Sequence, residues 1–142
     1  MWSGKIEKKI DTAKRALKTL QELLDLENPT TVERDAVIQR FEYTFEAFWK
    51  VGKLFLREME GLEIGSPKGV IRGFLQIAIF TEDQTALALD MVDDRNLTSH
   101  AYKQDLADKI YNQIGDYAEI MVNWLVGMEK ALENTEKIKQ NE

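Results

Sequence analysis

An all-α fold, an antiparallel four-helix up-and-down bundle with one additional short helix, follows from three features of this 142-residue chain. Apolar residues recur at steps of three and four along four stretches, the period of an amphipathic helix. Nowhere do they alternate with polar residues as a half-buried strand requires. Breakers are scarce, with 2 prolines and 8 glycines in all, so long elements with short connections are expected. The length suits a single domain over residues 1–142, enough to bury about two-thirds of the surface its unfolded chain exposes.

Ile6, Ile10, Ala13, Leu17, Leu20 and Leu24 form one stripe with lysines opposite, predicting a first helix over residues 4–26. It should stop before Asn28-Pro29, because a residue preceding proline avoids the helical region. Thr30 with Glu33 reads as a capping box that opens a second helix. Its stripe runs through Val37, Phe41, Phe45, Phe48, Val51, Phe55 and Met59 to a stop at Gly61, a length of about 45 Å. Ser66-Pro67 suits the cap and first turn of a third helix carrying Val70, Ile71, Phe74, Leu75 and Ala78. Thr81-Glu82-Asp83-Gln84 is another cap-like run, so the chain should bend or restart there. A short helix then continues through Leu87, Leu89, Met91 and Val92. The last helix is expected from about Gln104 to Glu133, on Leu106, Ile110, Ile114, Tyr117, Met121, Trp124, Leu125, Met128 and Leu132. Gly115 and Gly127 inside it cost about 1 kcal/mol each. The polar tail from Lys137 should fray.

The composition, 44% apolar and 31% charged, is that of a soluble globular protein. Without cysteine there is no disulfide and no thiolate ligand, and with one histidine a zinc-type site lacks donors. No metal and no cofactor is therefore expected. Gly65-Ser66-Pro67-Lys68-Gly69 lacks the Gly-Lys-Ser/Thr ending of a phosphate loop, so the chain is not expected to be a nucleotidyltransferase itself. The first residues lack a signal-peptide core, and no run approaches the roughly 18 apolar residues of a membrane span. A cytoplasmic protein with no membrane attachment is the expectation.

A net charge of −6 argues against a general nucleic-acid binder. The charge is uneven, however. Residues 5–18 carry Lys5, Lys8, Lys9, Lys14, Arg15 and Lys18 against Glu7 and Asp11, whereas residues 81–94 carry five carboxylates and no base. Each run is either a solvated helix face or a surface that steers a partner of opposite charge.

The chemistry converges on Asp93-Asp94-Arg95-Asn96-Leu97-Thr98-Ser99-His100-Ala101-Tyr102, which holds the only histidine. Imidazoles exchange protons near neutrality and can take one from a ribose 2′-hydroxyl. An arginine fork can hold a phosphate and offset charge that grows on its oxygens. Arg95 and His100 are thus the candidate catalytic residues for metal-free phosphodiester cleavage, with RNA as the substrate. Asn96 is a candidate substrate-binding residue, placed to position the phosphate or the ring. One histidine does not readily serve as both base and acid, whereas two copies of the chain supply two. Glu42, Glu46 and Lys50 step by four along the second helix, near Arg40. They are either ordinary surface ion pairs or groups that face Arg95 and His100.

Arg95-x4-His100-x-Tyr102, with Asn96 after the arginine, resembles the signature of HEPN-domain proteins (higher eukaryotes and prokaryotes nucleotide-binding). More narrowly, Asp94-Arg95-Asn96-Leu97-Thr98-Ser99-His100 is similar to the nucleotidyltransferase substrate-binding proteins. Arg34-Asp35, Gln39-Arg40-Phe41-Glu42-Tyr43-Thr44-Phe45-Glu46 and Trp49-Lys50 are similar to that family's second helix. The resemblance covers most of the chain. It implies a helical bundle, partnership with a minimal nucleotidyltransferase and, in some members, a ribonuclease toxin whose Arg and His pair across a homodimer axis. It also implies that Tyr102 accepts adenylylation by the partner, which would set a bulky anionic group beside His100. Taken on its own, Tyr102 equally well packs at the start of the last helix with its hydroxyl in water.

Two functions follow. One is a homodimeric, metal-independent endoribonuclease toxin neutralised by a partner nucleotidyltransferase. The other is a non-catalytic substrate-binding subunit of a nucleotidyltransferase, resembling the helical domain of the aminoglycoside nucleotidyltransferases. A homodimer is expected on a second ground as well. Trp2, Phe48, Trp49, Phe55 and Trp124 are more large apolar groups than one small bundle needs, and an exposed remainder marks an interface.

Overall fold

The computed structural model describes residues 4–141, which form five helices and no strand. They are α1 (Gly4–Gln21), α2 (Thr31–Glu60), α3 (Pro67–Gln76), α4 (Glu82–Leu97) and α5 (Gln104–Gln140). A single 3-10 turn, Thr98–His100, joins α4 to α5. Helix α1 packs on α2 and α5, α3 bridges α2 and α4, and α4 lies against α5, while α2 and α5 meet across the middle. The bundle is therefore the expected one, with α3 and α4 sharing one of its sides. No helix among the described residues is long and apolar enough to cross a membrane.

The boundaries come from local hydrogen bonding. Thr30 Oγ1 accepts the Glu33 amide at 3.1 Å while the Glu33 carboxylate accepts the Thr30 amide at 2.9 Å, which completes the capping box of α2. Thr81 and Gln84 repeat this at the start of α4 with the same two distances. Ser66 caps α3 with Pro67 in its first turn, and Gly61 closes α2 in the left-handed conformation.

Two boundaries differ from expectation, while the restart expected at Thr81 is present. Helix α1 ends at Gln21 rather than residue 26, because the Leu23 and Leu24 amides bond to Leu20 and Gln21, three residues back. The chain tightens there into a 3-10-like turn that sets both leucines against the core. At the other terminus, α5 does not fray at Lys137 but stays helical to Gln140. Between α3 and α4, Ala78 adopts φ +61, and the amides of Ile79 and Phe80 both bond to the Phe74 carbonyl. That reversal seats Ile79 on Gly127, where an added Cβ would lie 2.5 Å from the isoleucine Cγ2. Gly127 is thus a contact point in the long helix.

The core is rich in rings. Trp124 of α5 meets Phe48 of α2 at 5.7 Å, Phe74 of α3 at 5.3 Å and Phe80 at 5.4 Å between centroids. Phe55 lies 5.5 Å from Phe74, and Phe41 stacks on Tyr117 at 5.6 Å. Phe48, Phe55 and Trp124 are fully buried, which corrects the expectation that they exceed the needs of one bundle: the core consumes them. Trp49 is half-buried and sends its indole N–H to Glu46, and Trp2 lies outside the described residues.

Candidate functional site

The last turn of α4 is fixed from three directions. Asp94 is buried and accepts a hydrogen bond from the Tyr117 hydroxyl of α5. Burial, and then that bond to Asp94, push the Tyr117 hydroxyl well above the usual phenol range. The tyrosine therefore stays protonated and remains a donor, with its ring stacked on Phe41 and its oxygen holding α4 to α5. Thr98 Oγ1 donates to the Arg95 carbonyl at 2.7 Å, which turns the chain out of α4 into the 3-10 turn.

Arg95, the next residue, is half-buried and forms a 2.7 Å ion pair through Nη2 with Glu46 Oε1 of α2. The second carboxylate oxygen of Glu46 accepts from Trp49 Nε1 at 3.2 Å and stands 3.9 Å from Lys50 Nζ. Arg95 Nε is buried and has no hydrogen-bond partner among the described residues. The pair thus uses only part of the five-donor guanidinium. Of the polar groups on α2, Glu46 and Lys50 are therefore at the candidate site. Arg40 is not: it bonds to the Thr19 carbonyl and lies 3.8 Å from Glu22, at the end of α1.

His100 and Tyr102 follow on the surface. Both are exposed, Tyr102 at 78%, and their rings meet edge to face with centroids 6.2 Å apart. Asn96 is exposed on α4. No hydrogen bond or ion pair joins Arg95 to His100 among the described residues. The fold therefore brings together Arg95 with Glu46 and His100 with Tyr102, as two neighbouring pairs rather than one closed site. Arg34 belongs to α2. Only 9% exposed, it bonds to Asp108 of α5 at 3.0 Å and to Asp35 at 3.1 Å, so the first turns of α5, just past Tyr102, are tied to α2.

A groove of about 450 Å³ runs beside the motif between α4 and α5, but none of its walls belongs to Arg95, Asn96, His100 or Tyr102. Asp90, Asp93 and Asp94 line it against one lysine, Lys109. An anionic substrate is repelled from that side. The chemistry available to the motif thus lies on the outer face of the turn: an exposed imidazole, an exposed phenol and an arginine whose direction is set by a carboxylate.

Asp94, Tyr117, Arg34 and Asp108 carry roles that the linear reading did not assign. Arg34 had a usable signal, since it lies one turn before Ile38 and continues the inward spacing Ile38, Phe41, Phe45 as a lone charge on an apolar face.

Residues 8–130 match the family described as nucleotidyltransferase substrate binding protein like. Among solved structures, a Thermus thermophilus protein is 53% identical, with a TM-score of 0.79 over 82% of this chain and 98% of its own. The tri-AMPylated HEPN toxin of Shewanella oneidensis, in complex with an MNT antitoxin, shares the fold at 19% identity, with a TM-score of 0.73 over 91% and 99% of the two chains. A Haemophilus influenzae protein whose structure reveals the fold of a nucleotidyltransferase substrate-binding domain does so at 20% identity, with a TM-score of 0.70 over 84% and 98%. A segment is also 30% identical over 91 residues to the bifunctional purine biosynthesis protein PurH of Ruegeria sp. (strain TM1040). The match takes in 60% of this chain, which spans 17% of that much longer protein.

Proposed function

We propose, for a chain that belongs to the nucleotidyltransferase substrate binding protein-like family, that it is the HEPN-type subunit of a two-component nucleotidyltransferase module and acts as a homodimeric, metal-independent endoribonuclease toxin. The observation that carries this reading is the pairing on one turn. Arg95 is aimed by Glu46, and immediately after it His100 and Tyr102 present their rings to solvent in contact with each other. His100 takes the proton of a ribose 2′-hydroxyl, and the 2′-oxygen attacks the adjacent phosphorus. The 5′-oxygen leaves with a proton from the second copy's imidazole, so the products are a 2′,3′-cyclic phosphate and a free 5′-hydroxyl. Arg95 offsets the charge on the phosphate oxygens, with Asn96 holding the phosphate in place.

Tyr102 is the regulatory position in this reading. Its 78% exposure leaves the hydroxyl open to a partner enzyme, and its contact with His100 means that a nucleotide attached there crowds the base with charge and volume. A partner nucleotidyltransferase would thus silence the site without touching the core. The tri-AMPylated state of the Shewanella toxin, which shares the fold, supports modification of such a subunit by analogy.

A second reading, a non-catalytic substrate-binding subunit, draws on the Arg95–Glu46 ion pair, which leaves the arginine already neutralised, and on the net charge of −6. Expression of the chain alone, beside His100→Ala, separates the two. Growth arrest and RNA cleavage that vanish in the variant and persist in EDTA establish the toxin. An inert wild-type chain, or cleavage that EDTA stops, removes the toxin reading in favour of the binding subunit.

A further inference from the structure

The outer side of α2 carries a row of cations that starts at the candidate site and runs away from it. Glu46, Lys50, Lys53 and Arg57 step by four, three and four, which sets them on one face of the helix. Contacts make this row continuous with Arg95. Glu46 holds Arg95 through one carboxylate oxygen and the Trp49 indole through the other, and Lys50 stands 3.9 Å from the second. Lys53 Nζ lies over the Trp49 ring, 6.0 Å from its centroid. Farther along, Lys53 and Arg57 line a groove of about 360 Å³ against Ile64 and Gly65 of the loop that follows α2. Lys50, Lys53 and Arg57 are all exposed, and Lys53 makes no ion pair among the described residues.

The carboxylates beside the row compete weakly. Glu46 is engaged by Arg95, and Glu58 meets Arg57 at 3.7 Å in an exposed pair of a kind worth little. A phosphate, with charge-assisted bonds to offer, displaces such a partner. Glu60 and Glu63 stand exposed past Arg57 and mark the end of the row. On the other side of the motif, Asp90, Asp93 and Asp94 line the groove between α4 and α5. A polyanion that reaches Arg95 is therefore repelled on the α4–α5 side and attracted along α2. The net charge of −6 does not oppose this, because exposed charges more than about 10 Å away are screened at ordinary salt.

We infer that this row binds the backbone of the RNA strand beside the bond that is cut, with successive phosphates on Lys50, Lys53 and Arg57. The face from Glu46 to Arg57 is about 16 Å long, enough for a few nucleotides. One row of cations fits one backbone and not the two of a duplex, so the substrate class is single-stranded RNA. Trp49, half-buried within the row, adds an aromatic surface for a base. The inference rests on the RNA-cleaving function proposed above and deepens it. Arg95 then acts on the scissile phosphate, while the row holds its neighbours and carries no part of the chemistry.

Salt dependence tests it. The probe is a fluorescein-labelled RNA of mixed sequence, roughly ten nucleotides long. A His100→Ala chain, which leaves the strand intact, is titrated by anisotropy at several salt concentrations, with and without Lys53→Gln and Arg57→Gln. Circular dichroism checks that each variant is folded. Removing two phosphate contacts should weaken binding about tenfold at low salt and flatten the slope of log affinity against log salt by about 1.4. A duplex of the same sequence should compete poorly. In the cleaving protein the same two changes should raise KM and leave kcat as it is. If affinity and slope do not change, the row does not hold RNA and the inference falls, whatever the chain cuts. If RNA binds through the row and the wild type cuts none, the toxin reading falls and the RNA-binding row stands. If the duplex competes as well as the strand, the single-strand assignment is wrong. If the variant keeps RNA and loses a co-expressed nucleotidyltransferase instead, the row belongs to that partner.

Discussion

Around Trp124, helices α2, α3 and α5 meet through aromatic rings, whereas around Arg95 and the start of α5 the contacts are polar: Asp94 with Tyr117, Arg95 with Glu46, Arg34 with Asp108. Apolar contact is roughly proportional to area and non-directional, so the first region supplies stability and tolerates small displacements. Polar pairs contribute less net energy but demand particular atoms at particular distances. The second region therefore supplies position. The turn that carries Arg95 and His100 is built where position is controlled, and it is joined to the core through Tyr117.

Truncating Trp124 to alanine should strike the first region alone. It empties the centre of the aromatic cluster and should cost about 3–5 kcal/mol, read from the urea midpoint. If the cost is under about 1 kcal/mol, the ring cluster is not what holds the helices together.

The converse experiment removes Arg95 or His100. For Arg95→Ala the expected loss of cleavage is about a hundredfold, on the order of 3 kcal/mol, and for His100→Ala about 10²–10⁴-fold. Neither should move the melting temperature by much, since the Arg95–Glu46 pair is half-exposed and worth about 0.2–1 kcal/mol. A large drop in melting temperature for His100→Ala would make the two regions one.

Tyr117 stands on the border, ring in the core and hydroxyl on Asp94, so Tyr117→Phe sharpens the division. It keeps the stacking on Phe41 and leaves a buried carboxylate without its donor, for a loss of about 1–3 kcal/mol. The pH dependence carries a sign. The folded state keeps the tyrosine proton that an unfolded chain releases near about pH 10. This contribution is therefore whole below about pH 10 and is lost as the pH rises through the folded value. Urea unfolding between about pH 7 and 11 should show that alkaline loss in wild type and a shallower one in the variant. Equal slopes would place no special proton at Tyr117.

Tyr102→Phe should do least. Cleavage and stability should stay within about twofold of wild type, since an exposed hydroxyl away from the core contributes little to either. What should disappear is the mass gain on incubation with a nucleotidyltransferase partner and ATP. Continued modification in the variant would move the acceptor elsewhere.

The helices were legible in the sequence because their causes are local. A period of three to four, a threonine with glutamate or glutamine three residues on, and a glycine at a helix end act over a few residues. Thr30–Glu33, Thr81–Gln84, Ser66-Pro67 and Gly61 therefore mark boundaries without any knowledge of what packs where. The motif was legible for the same reason, since Arg95, Asn96, His100 and Tyr102 lie within eight residues of one another. The tertiary structure decided which of these residues meet and what holds them. Arg34 finds Asp108 across 74 positions, Tyr117 finds Asp94 across 23, and Ile79 finds the bare backbone at Gly127. Periodicity says that a side chain faces inward but not which neighbour it meets there. Phe48, Phe55 and Trp124 thus read as a surplus along the chain and prove to be the core. That choice belongs to packing, where a contact between distant positions leaves no pattern in the segments that make it.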